Sequence, residues 1–453
     1  MGGLSTALSI GLQALEATQG ALDATSNNIS NDKTPGYTRE VVQFTSNQLT
    51  QSGDTVSGGG VSLNNLQSIR DELLNLQIQN QNSLQGSADT QSSSLQQIQS
   101  YFTSNGQDIA SALTAFSGSL TTLSASPSSA SAQTGVLDSG ENLAKSFNTT
   151  AQGLAGAQSS ADSQVTQTVS QINTITAQIA SLNGQLSQLQ TTGQSGGTVQ
   201  DQRDQLVQQL STLTGISVTQ TESGETITTG NGTPLVMGSQ SFSLQTATGT
   251  DGMQHVLDSS GTDITTAIQG GQLGGAIQIR DQVVPGLMTQ LNTLATQLGN
   301  AFNAAQAQGY DSNGNVGQNF FTVPATGSAA GISVAITDPS LVAASSDGTA
   351  GSNGNVANLS AALTTDLPSG QTAAGAYAGL VYQVGTQASN ASSQSSAISQ
   401  SLLQLTNQQN SVSGVNIDEE TTNLIQYQTA YQAAARIVST IQQLDSTTIN
   451  MIS

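Results

Sequence analysis

The sequence predicts a mainly α-helical protein with coiled-coil helices at both ends, an elongated inner helical bundle and one small, outward all-β domain. Three patterns predict this fold. Apolar residues recur at seven-residue intervals near both ends, apolar stripes at helical spacing fill the interior, and short β-like runs occupy residues 215–275. Aromatic residues make up only 3% of the chain and Trp is absent. The core is therefore expected to consist of Leu, Ile, Val and Ala in narrow seams between helices.

The first element is an amphipathic helix from about Ser5 to Ile29. Its apolar stripe repeats every seven residues through Leu8, Leu15, Leu22 and Ile29. A type II turn should follow at Pro35 and Gly36, because Pro favours the first central position of such a turn and Gly the second. An extended segment is expected from Tyr37 to Phe44.

The last element is a second amphipathic helix with the same interval. Its predicted seam consists of Ile417, Leu424, Tyr431 and Val438, and a neighbouring seam continues through Ile437, Ile441, Leu444 and Met451. A lone helix of this length is marginal in water, so each stripe needs a partner helix. We expect the two ends to pair with each other and then with neighbouring copies. The alternative is that the stripes are ordinary intramolecular core.

The interior divides into one helical and one β region. Further helical stripes are predicted, among them one through Leu66, Ile69, Leu73 and Leu76. The expected domains are residues 1–50 with 414–453 at the ends, 51–214 with 276–413 in the inner bundle, and 215–275 in the β domain.

Charge and composition exclude several classes of function. The formal net charge of -21 would repel a nucleic acid backbone. No apolar run is long enough to predict membrane insertion, and the first basic residue is Lys33, so no cleavable secretory leader is expected. The chain has no Cys, which removes disulfides and thiolate metal sites. No cofactor or metal is predicted.

One motif could indicate a hydrolase. Gly193, Ser195 and Gly197 match the GxSxG spacing, and His255 is the only histidine that could act as a base. A nucleophile elbow needs a strand before the Ser and a helix after it, whereas here a predicted helix ends in a Gly-rich loop. The match is interpreted as chance, and a single imidazole without other spaced ligands does not predict a metal site.

Two acidic segments are interpreted as structural. Asn416 is a plausible helix N-cap, and Glu419 then falls at the third position of a capping box, with further carboxylates favouring the helix dipole. The segment that begins at Asp311 resembles the start of a calcium loop, but Val316 replaces the Gly at its sixth position and Thr322 the Glu at its twelfth. It is interpreted as a turn.

The segment SNNISNDKTPGYTRE, residues 26–40, resembles the amino-terminal signature of flagellar rod, hook and hook-associated proteins. Its characteristic positions here are Asn28, Pro35, Gly36 and Tyr37. The segment SGVNIDEETTNLIQYQTAYQAAARIVST, residues 413–440, is similar to the hook-associated members of that family. Internal segments that begin at Asp201, Gly270 and Ala301 agree with those members.

The resemblance implies an extracellular structural subunit at the junction between hook and filament, exported through the flagellar type III channel. It implies a ring of identical copies that contacts the hook protein and a second junction protein, and a cytoplasmic export chaperone that masks the carboxyl-terminal face. Other axial subunits of hook or filament are the nearest alternative. An adhesin that uses the β domain is a further one.

Overall fold

The structure is a computed structural model that describes residues 2–48, 50–52, 55–103, 108–192, 194–221 and 224–452. Long helices dominate it, and small antiparallel sheets interrupt them, so the predicted fold class is confirmed. The helices are α1 (Gly2–Ser30), α2 (Glu72–Phe102), α3 (Ile109–Ala125), α4 (Ala130–Thr191), α5 (Gly197–Leu213), α6 (Gly271–Gln278), α7 (Val284–Ala307), α8 (Ser328–Gly331), α9 (Val356–Thr364), α10 (Ala373–Ser413) and α11 (Ile417–Ile452).

The strands form separate small sheets. They are β1 (Glu40–Ser46), β2 (Thr50–Ser52), β3 (Thr55–Ser57), β4 (Val61–Ser68), β5 (Ile216–Thr221), β6 (Gly224–Thr229), β7 (Pro234–Met237), β8 (Gln240–Ser241), β9 (Gln245–Thr248), β10 (Gln254–Leu257), β11 (Phe321–Thr322) and β12 (Ser333–Val334). Strands β5 to β8 make a four-stranded antiparallel sheet in chain order, and β9 pairs with β10. This β region lies where the sequence predicts it.

Several helices start at a residue whose side chain caps the first turn. Asp71 accepts a hydrogen bond from the backbone N–H of Leu74 at 3.0 Å, and Asp108 does the same for Ser111 at 2.9 Å. Such caps satisfy backbone donors that have no partner within the helix, and each stabilises it by about 1 kcal/mol. They set where the long helices begin.

The inner body has two hydrophobic cores that share one helix. Helix α4 has 62 residues and is therefore about 93 Å long. Its first half packs with α2, α3, α7 and α8, and α9 and α10 complete the same core through their contacts with α2, α3 and α7. Its second half packs with α5, α6 and the four-stranded sheet. The long shared helix makes the body elongated, as predicted.

The expectation of a purely aliphatic core is wrong, since Phe102, Phe147 and Tyr377 are buried in it and four further Phe side chains form a cluster. Phe116, Phe302, Phe320 and Phe321 are buried together with ring centroids between 4.8 and 5.9 Å apart. Half of the eight Phe residues of the chain are collected in this cluster. A low aromatic content predicts few such clusters, but it does not exclude a single large one, because aromatic pairs favour each other beyond the area they bury.

The predicted helical stripe from Leu66 to Leu76 is also wrong in its first half. Leu66 lies in β4, opposite Val42 of the antiparallel strand β1, and α2 begins only at Glu72. The ribbon of β1 and β4 spans residues 40–68, so the predicted domain boundary at residue 50 falls inside a hydrogen-bonded unit. The division into domains remains a prediction.

Candidate assembly surface

The two terminal helices pack against each other as an antiparallel pair. A Cβ on Gly11 would lie 2.9 Å from Val438 Cγ2, so the first half of α1 contacts the second half of α11. At the other end, Arg39 Nη1 lies 2.8 Å from Glu419 Oε2, which joins the segment after α1 to the start of α11. The absence of a side chain at Gly11 lets the two helices approach closely.

The pair buries only part of the predicted terminal seam within one chain. Val438 and Ile441 are buried, whereas Ile417, Ile437, Leu444 and Met451 are exposed. The other predicted seam residues are half-buried: Leu8, Leu15, Leu22, Ile29, Leu424 and Tyr431. The inner faces of the two helices therefore pack against each other, and their outer faces remain exposed.

A stripe of apolar residues runs along the outer face of α11. Ile437, Leu444 and Met451 follow each other at seven-residue intervals and are 54%, 53% and 76% exposed. We call these three residues the outer stripe. All three belong to the neighbouring seam that the sequence predicted, together with Ile441. Seven-residue periodicity alone could not distinguish this face from the inner one, because both faces of α11 carry apolar residues at the same interval.

Further apolar residues of the terminal helices are exposed. They include Ile425 and Ile449 on α11 and Leu12 on α1. Contiguous exposed apolar residues on a protein surface mark sites of protein–protein interaction.

The signature segment after α1 is a buried hydrogen-bonded clasp. Asn28 is almost fully buried, and its Nδ2 donates to the Glu40 carbonyl at 2.8 Å. Its Oδ1 accepts from the Glu40 backbone N–H at 3.0 Å and from the Tyr37 hydroxyl at 2.8 Å. Burial, together with the neighbouring Glu40 and Asp201, raises the pKa of Tyr37, so its phenol keeps the proton it donates. We call Asn28, Tyr37 and Glu40 the turn clasp.

The turn itself is docked on α5. Gly36 has a positive φ of 75°, as the predicted type II turn requires, and a Cβ there would overlap the Gln205 side chain. Gln205 Nε2 donates to the Pro35 carbonyl at 2.6 Å. The Pro-Gly pair of the signature therefore provides both the turn and the close contact with the inner body.

An ionic network continues this contact beneath the turn. The backbone N–H of Thr38 donates to Asp201 Oδ2 at 3.0 Å, and Arg70 Nη2 lies 2.6 Å from Asp201 Oδ1. Arg70 Nη1 also pairs with Asp204. Burial raises the pKa of Asp201, while hydrogen bonds from Thr38 and the charge of Arg70 oppose that shift. Arg70 thus holds two carboxylates of α5 next to the end of the β1–β4 ribbon.

The network extends into the four-stranded sheet. Arg203 Nη2 lies 3.0 Å from Asp204 Oδ1 and 2.7 Å from Glu225 Oε1 on β6. Burial raises the pKa of Glu225 to about 7 although Arg203 opposes the rise. Ribbon, α5 and sheet are therefore joined by one chain of charged side chains.

The start of α11 confirms the predicted N-cap. Asn416 Oδ1 accepts from the backbone N–H groups of Asp418 at 3.0 Å and Glu419 at 3.3 Å. The Glu419 carboxylate is engaged by Arg39, and Glu420 is buried. The acidic residues here position the helix and attach it to the segment after α1.

The structure does not bring Ser195 and His255 together as a catalytic pair. Ser195 borders a groove lined by α1, β4 and the start of α5. His255 lies on β10, with Nδ1 2.6 Å from Asp263 and Nε2 3.2 Å from Asp251, so carboxylates occupy both ring nitrogens. Gly193, the first residue of the motif, lies outside the described residues.

The calcium-like segment is a turn, as predicted. Asp311 Oδ1 accepts from the backbone N–H groups of Asn313 at 2.8 Å and Asn315 at 2.9 Å. Within the ranges that the structure describes, no three His, Cys, Asp or Glu side chains are arranged to hold a metal ion. A search of the helices in those ranges found none with the length and apolarity needed to cross a membrane.

Comparison with known families assigns three parts of the chain. Residues 95–321 match the model of the flagellar hook-associated protein FlgK helical domain. Residues 8–38 match the flagella basal body rod protein family, and residues 408–451 match the carboxyl-terminal family of the flagellar basal body rod proteins FlgEFG. The two rod-protein matches fall on α1 and α11.

Individual relatives agree over nearly the whole length. The chain is 30% identical to flagellar hook-associated protein 1 of Bacillus subtilis (strain 168), over 97% of this chain and 96% of that protein. It is 26% identical to flagellar hook-associated protein 1 of Escherichia coli (strain K12), over 99% and 100%. The solved flagellar hook junction protein FlgK from Burkholderia pseudomallei has the same fold, with a TM-score of 0.67, 20% identity, and coverage of 74% of this chain and 100% of that one.

Proposed function

The chain belongs to the flagellar hook-associated protein 1 family, and from that membership we propose that it is a structural subunit of the junction between the flagellar hook and the filament. Both terminal helices fall within families of flagellar axial proteins. The chain would function through its contacts with neighbouring subunits rather than through catalysis. Its outer face would bind neighbouring copies, and its body would hold those copies at a fixed orientation.

The outer stripe carries this proposal. Its three large apolar residues stand at heptad spacing and remain at least half exposed after α1 and α11 have paired. Burying one such side chain fully stabilises an association by about 2 kcal/mol. A second helix pair from another copy, packed with knobs in holes, would supply that burial.

The turn clasp and the ionic network support a mechanical role. They join the terminal pair to the inner body through buried hydrogen bonds and paired charges. A force on the terminal helices would therefore pass to α5 and the sheet, without relying on a flexible linker. Such a connection fits a subunit that transmits torque between hook and filament.

The proposed partners are further copies of the chain in a ring, the hook protein on one side and a second junction protein on the other. Before assembly the outer stripe would be exposed in the cytoplasm, where a soluble chain with such a stripe risks aggregation. We propose that an export chaperone covers α11 at that stage and that the chain then leaves through the flagellar export channel.

We also propose that the chain is not an enzyme. The residues of the GxSxG-like motif and the single imidazole serve different parts of the fold. A Ser195→Ala variant should keep full motility, and the purified chain should hydrolyse neither ester nor peptide substrates. Loss of a measurable hydrolase activity in that variant would contradict the proposal.

The decisive experiment is removal of the gene followed by electron microscopy of the cells. Hooks should form without attached filaments, and the wild-type gene supplied in trans should restore them. A label on the chain should give one narrow band between hook and filament in isolated flagella. Labelling along the entire filament or hook would instead identify a different axial subunit.

A further inference from the structure

The two hydrophobic cores of the inner body meet at a sharp boundary. On α4 one core ends at Ala161 and the other begins at Val165, and on the segment that joins α6 to α7 the boundary falls between Ile277 and Ile279. We call the core with α3 and α7 the distal core. The core with α5 and the sheet is the proximal core, because the turn clasp is docked on α5. The inner body therefore consists of two packed halves.

Three long helices cross this boundary with small or polar residues alone. Small side chains bury little apolar area, so contacts between these stretches add little to the hydrophobic stabilisation of the body. We call the three stretches the waist. None of them holds an apolar residue larger than Ala: residues 85–94 of α2, 155–164 of α4 and 385–397 of α10.

Hydrogen bonds between side chains place the waist at the level of the core boundary. Gln91 Nε2 of α2 donates to Gln278 Oε1 at 2.9 Å, at the end of α6. Gln158 Nε2 of α4 donates to the backbone carbonyl of Arg280 at 3.0 Å. The small and polar stretches of the helices therefore lie between the two cores and separate them.

One side of the waist is held by a buried ion pair. Arg280 is 1% exposed, and its Nη1 lies 2.8 Å from Asp162 Oδ1 of α4. The same carboxylate oxygen accepts from the backbone N–H of Gln254 on β10 at 2.8 Å, and Arg280 Nη1 donates to the Gln254 carbonyl. Arg280 belongs to the π-helical turn Ile279–Val283 between α6 and α7. Separating a buried ion pair is costly, so this joint stays closed.

The other side of the waist, where α10 packs along α2, is held only by neutral and partly exposed contacts. Ser395 Oγ donates to Asp89 Oδ1 at 2.5 Å and accepts from Gln85 Nε2 at 3.2 Å. Gln85 Oε1 on α2 and Gln387 Oε1 on α10 are buried and accept no hydrogen bond from any described residue. A buried amide oxygen without a donor is unfavourable, so this packing of α10 is not optimal for either side chain.

We propose that the waist is a hinge, at which the distal core tilts relative to the proximal core about the Arg280 joint while α10 slides along α2. Two helices that both span a hinge must shift past each other when it bends. Long helices bend where Gly and Ser residues are close together, as at Gly156, Ser159 and Ser160 of α4. The close-packed cores on either side move as rigid bodies. The hinge is a property of the single chain and holds whether or not the chain forms the junction.

Distances between spin labels test the hinge in the purified full chain, which has no Cys of its own. Thr293→Cys on α7 and Ser243→Cys between β8 and β9 place one exposed label on each side of the waist. Pulsed electron paramagnetic resonance should give a distance distribution about twofold broader than those of two control pairs, each within one core. The control pairs are Thr293→Cys with Thr364→Cys and Ser243→Cys with Gln209→Cys. A distribution across the waist that is no broader than the controls overturns the hinge.

Asp89→Leu combined with Ser395→Leu tests the sliding of α10. The two side chains touch across the waist, so the two Leu side chains should pack on each other and hold α10 in one position on α2. The double variant should narrow the distribution across the waist to the breadth of the controls, and Asp89→Leu alone should leave it broad. An unchanged breadth in a double variant of normal helicity refutes the hinge. If circular dichroism shows lost helicity, the comparison of the three labelled pairs decides alone.

Discussion

At the scale of single residues, Asn28 explains why the signature segment needs an amide. The side chain has one carbonyl oxygen and one NH₂ group, and it uses both to complete the backbone of Glu40 while also accepting from Tyr37. A carboxylate could not donate to the Glu40 carbonyl, and an apolar side chain would leave three buried polar groups without partners. The turn clasp therefore depends on the chemistry of one residue.

Replacing Asn28 with Ala should destabilise the turn clasp and the terminal helices by about 3 kcal/mol, because buried polar groups would lose their hydrogen-bond partners. Hydrogen exchange measured by mass spectrometry should show faster exchange of the Glu40 amide and of β1. Asn27→Ala is the matched control, since that amide is exposed and bonds only to its neighbour Asn31. Equal exchange rates in both variants would mean that the clasp contributes nothing.

The single histidine should titrate above its ordinary pKa of 6.5, because the protonated ring donates hydrogen bonds to the carboxylates of Asp263 and Asp251. A raised pKa in the folded state means that this contribution to stability is full below pH 6.5 and is lost as the pH rises through the folded value. An NMR titration reports it without ambiguity, since the chain has one His. Asp263→Asn should lower the pKa of His255, and an unchanged value would contradict the assignment.

At the scale of elements, the terminal helices and their apolar residues were predictable, but which apolar face of α11 is exposed was not. The seven-residue spacing of apolar residues predicted both helices and most of the seam residues between them, because this spacing can be read from one continuous segment of the sequence. The helix expected from Leu66 was wrong, since pairing of β4 with β1 is a contact between distant segments that periodicity cannot reveal. The network of Arg70 and Asp201 was missed for the same reason, as its members lie far apart along the chain.

The two faces of α11 should respond differently to the same substitution. Leu444→Asp places a charge on the exposed outer face, so helicity and unfolding temperature should stay unchanged while filament attachment is lost. Val438→Asp buries that charge against α1, which should cost several kcal/mol and lower the unfolding temperature of the terminal pair. Circular dichroism of the purified chains and electron microscopy of the cells separate the two effects. Normal filaments with Leu444→Asp would remove the outer stripe from the interface.

At the scale of the whole molecule, the charged residues are distributed unevenly among the structural elements. Helix α10 has 41 residues and none of them is charged, and α3 and α7 carry no charge either. Several buried ion pairs collect instead where the ribbon, α5 and the sheet meet, and Arg280 forms another with Asp162. Paired charges thus lie where the terminal helices are attached to the inner body. The surfaces of α3, α7 and α10 are covered by neutral polar side chains instead.

Arg70 should be the residue on which that attachment depends. Arg70→Met leaves the buried Asp201 without its cation and Asp204 with Arg203 alone, which should cost about 3 kcal/mol. Burial already raises the pKa of Asp201, and loss of the guanidinium raises it further, so protonation relieves the penalty. The difference in stability between wild type and variant should therefore be largest at neutral pH and shrink as the pH falls, as followed by urea unfolding.

Lys145→Met is the matched control, because its ion pair with Glu141 is exposed and 3.5 Å long, and its loss should cost less than about 0.5 kcal/mol at every pH. A pH-independent difference for Arg70→Met would show that lost packing, and not the uncompensated carboxylates, accounts for the effect.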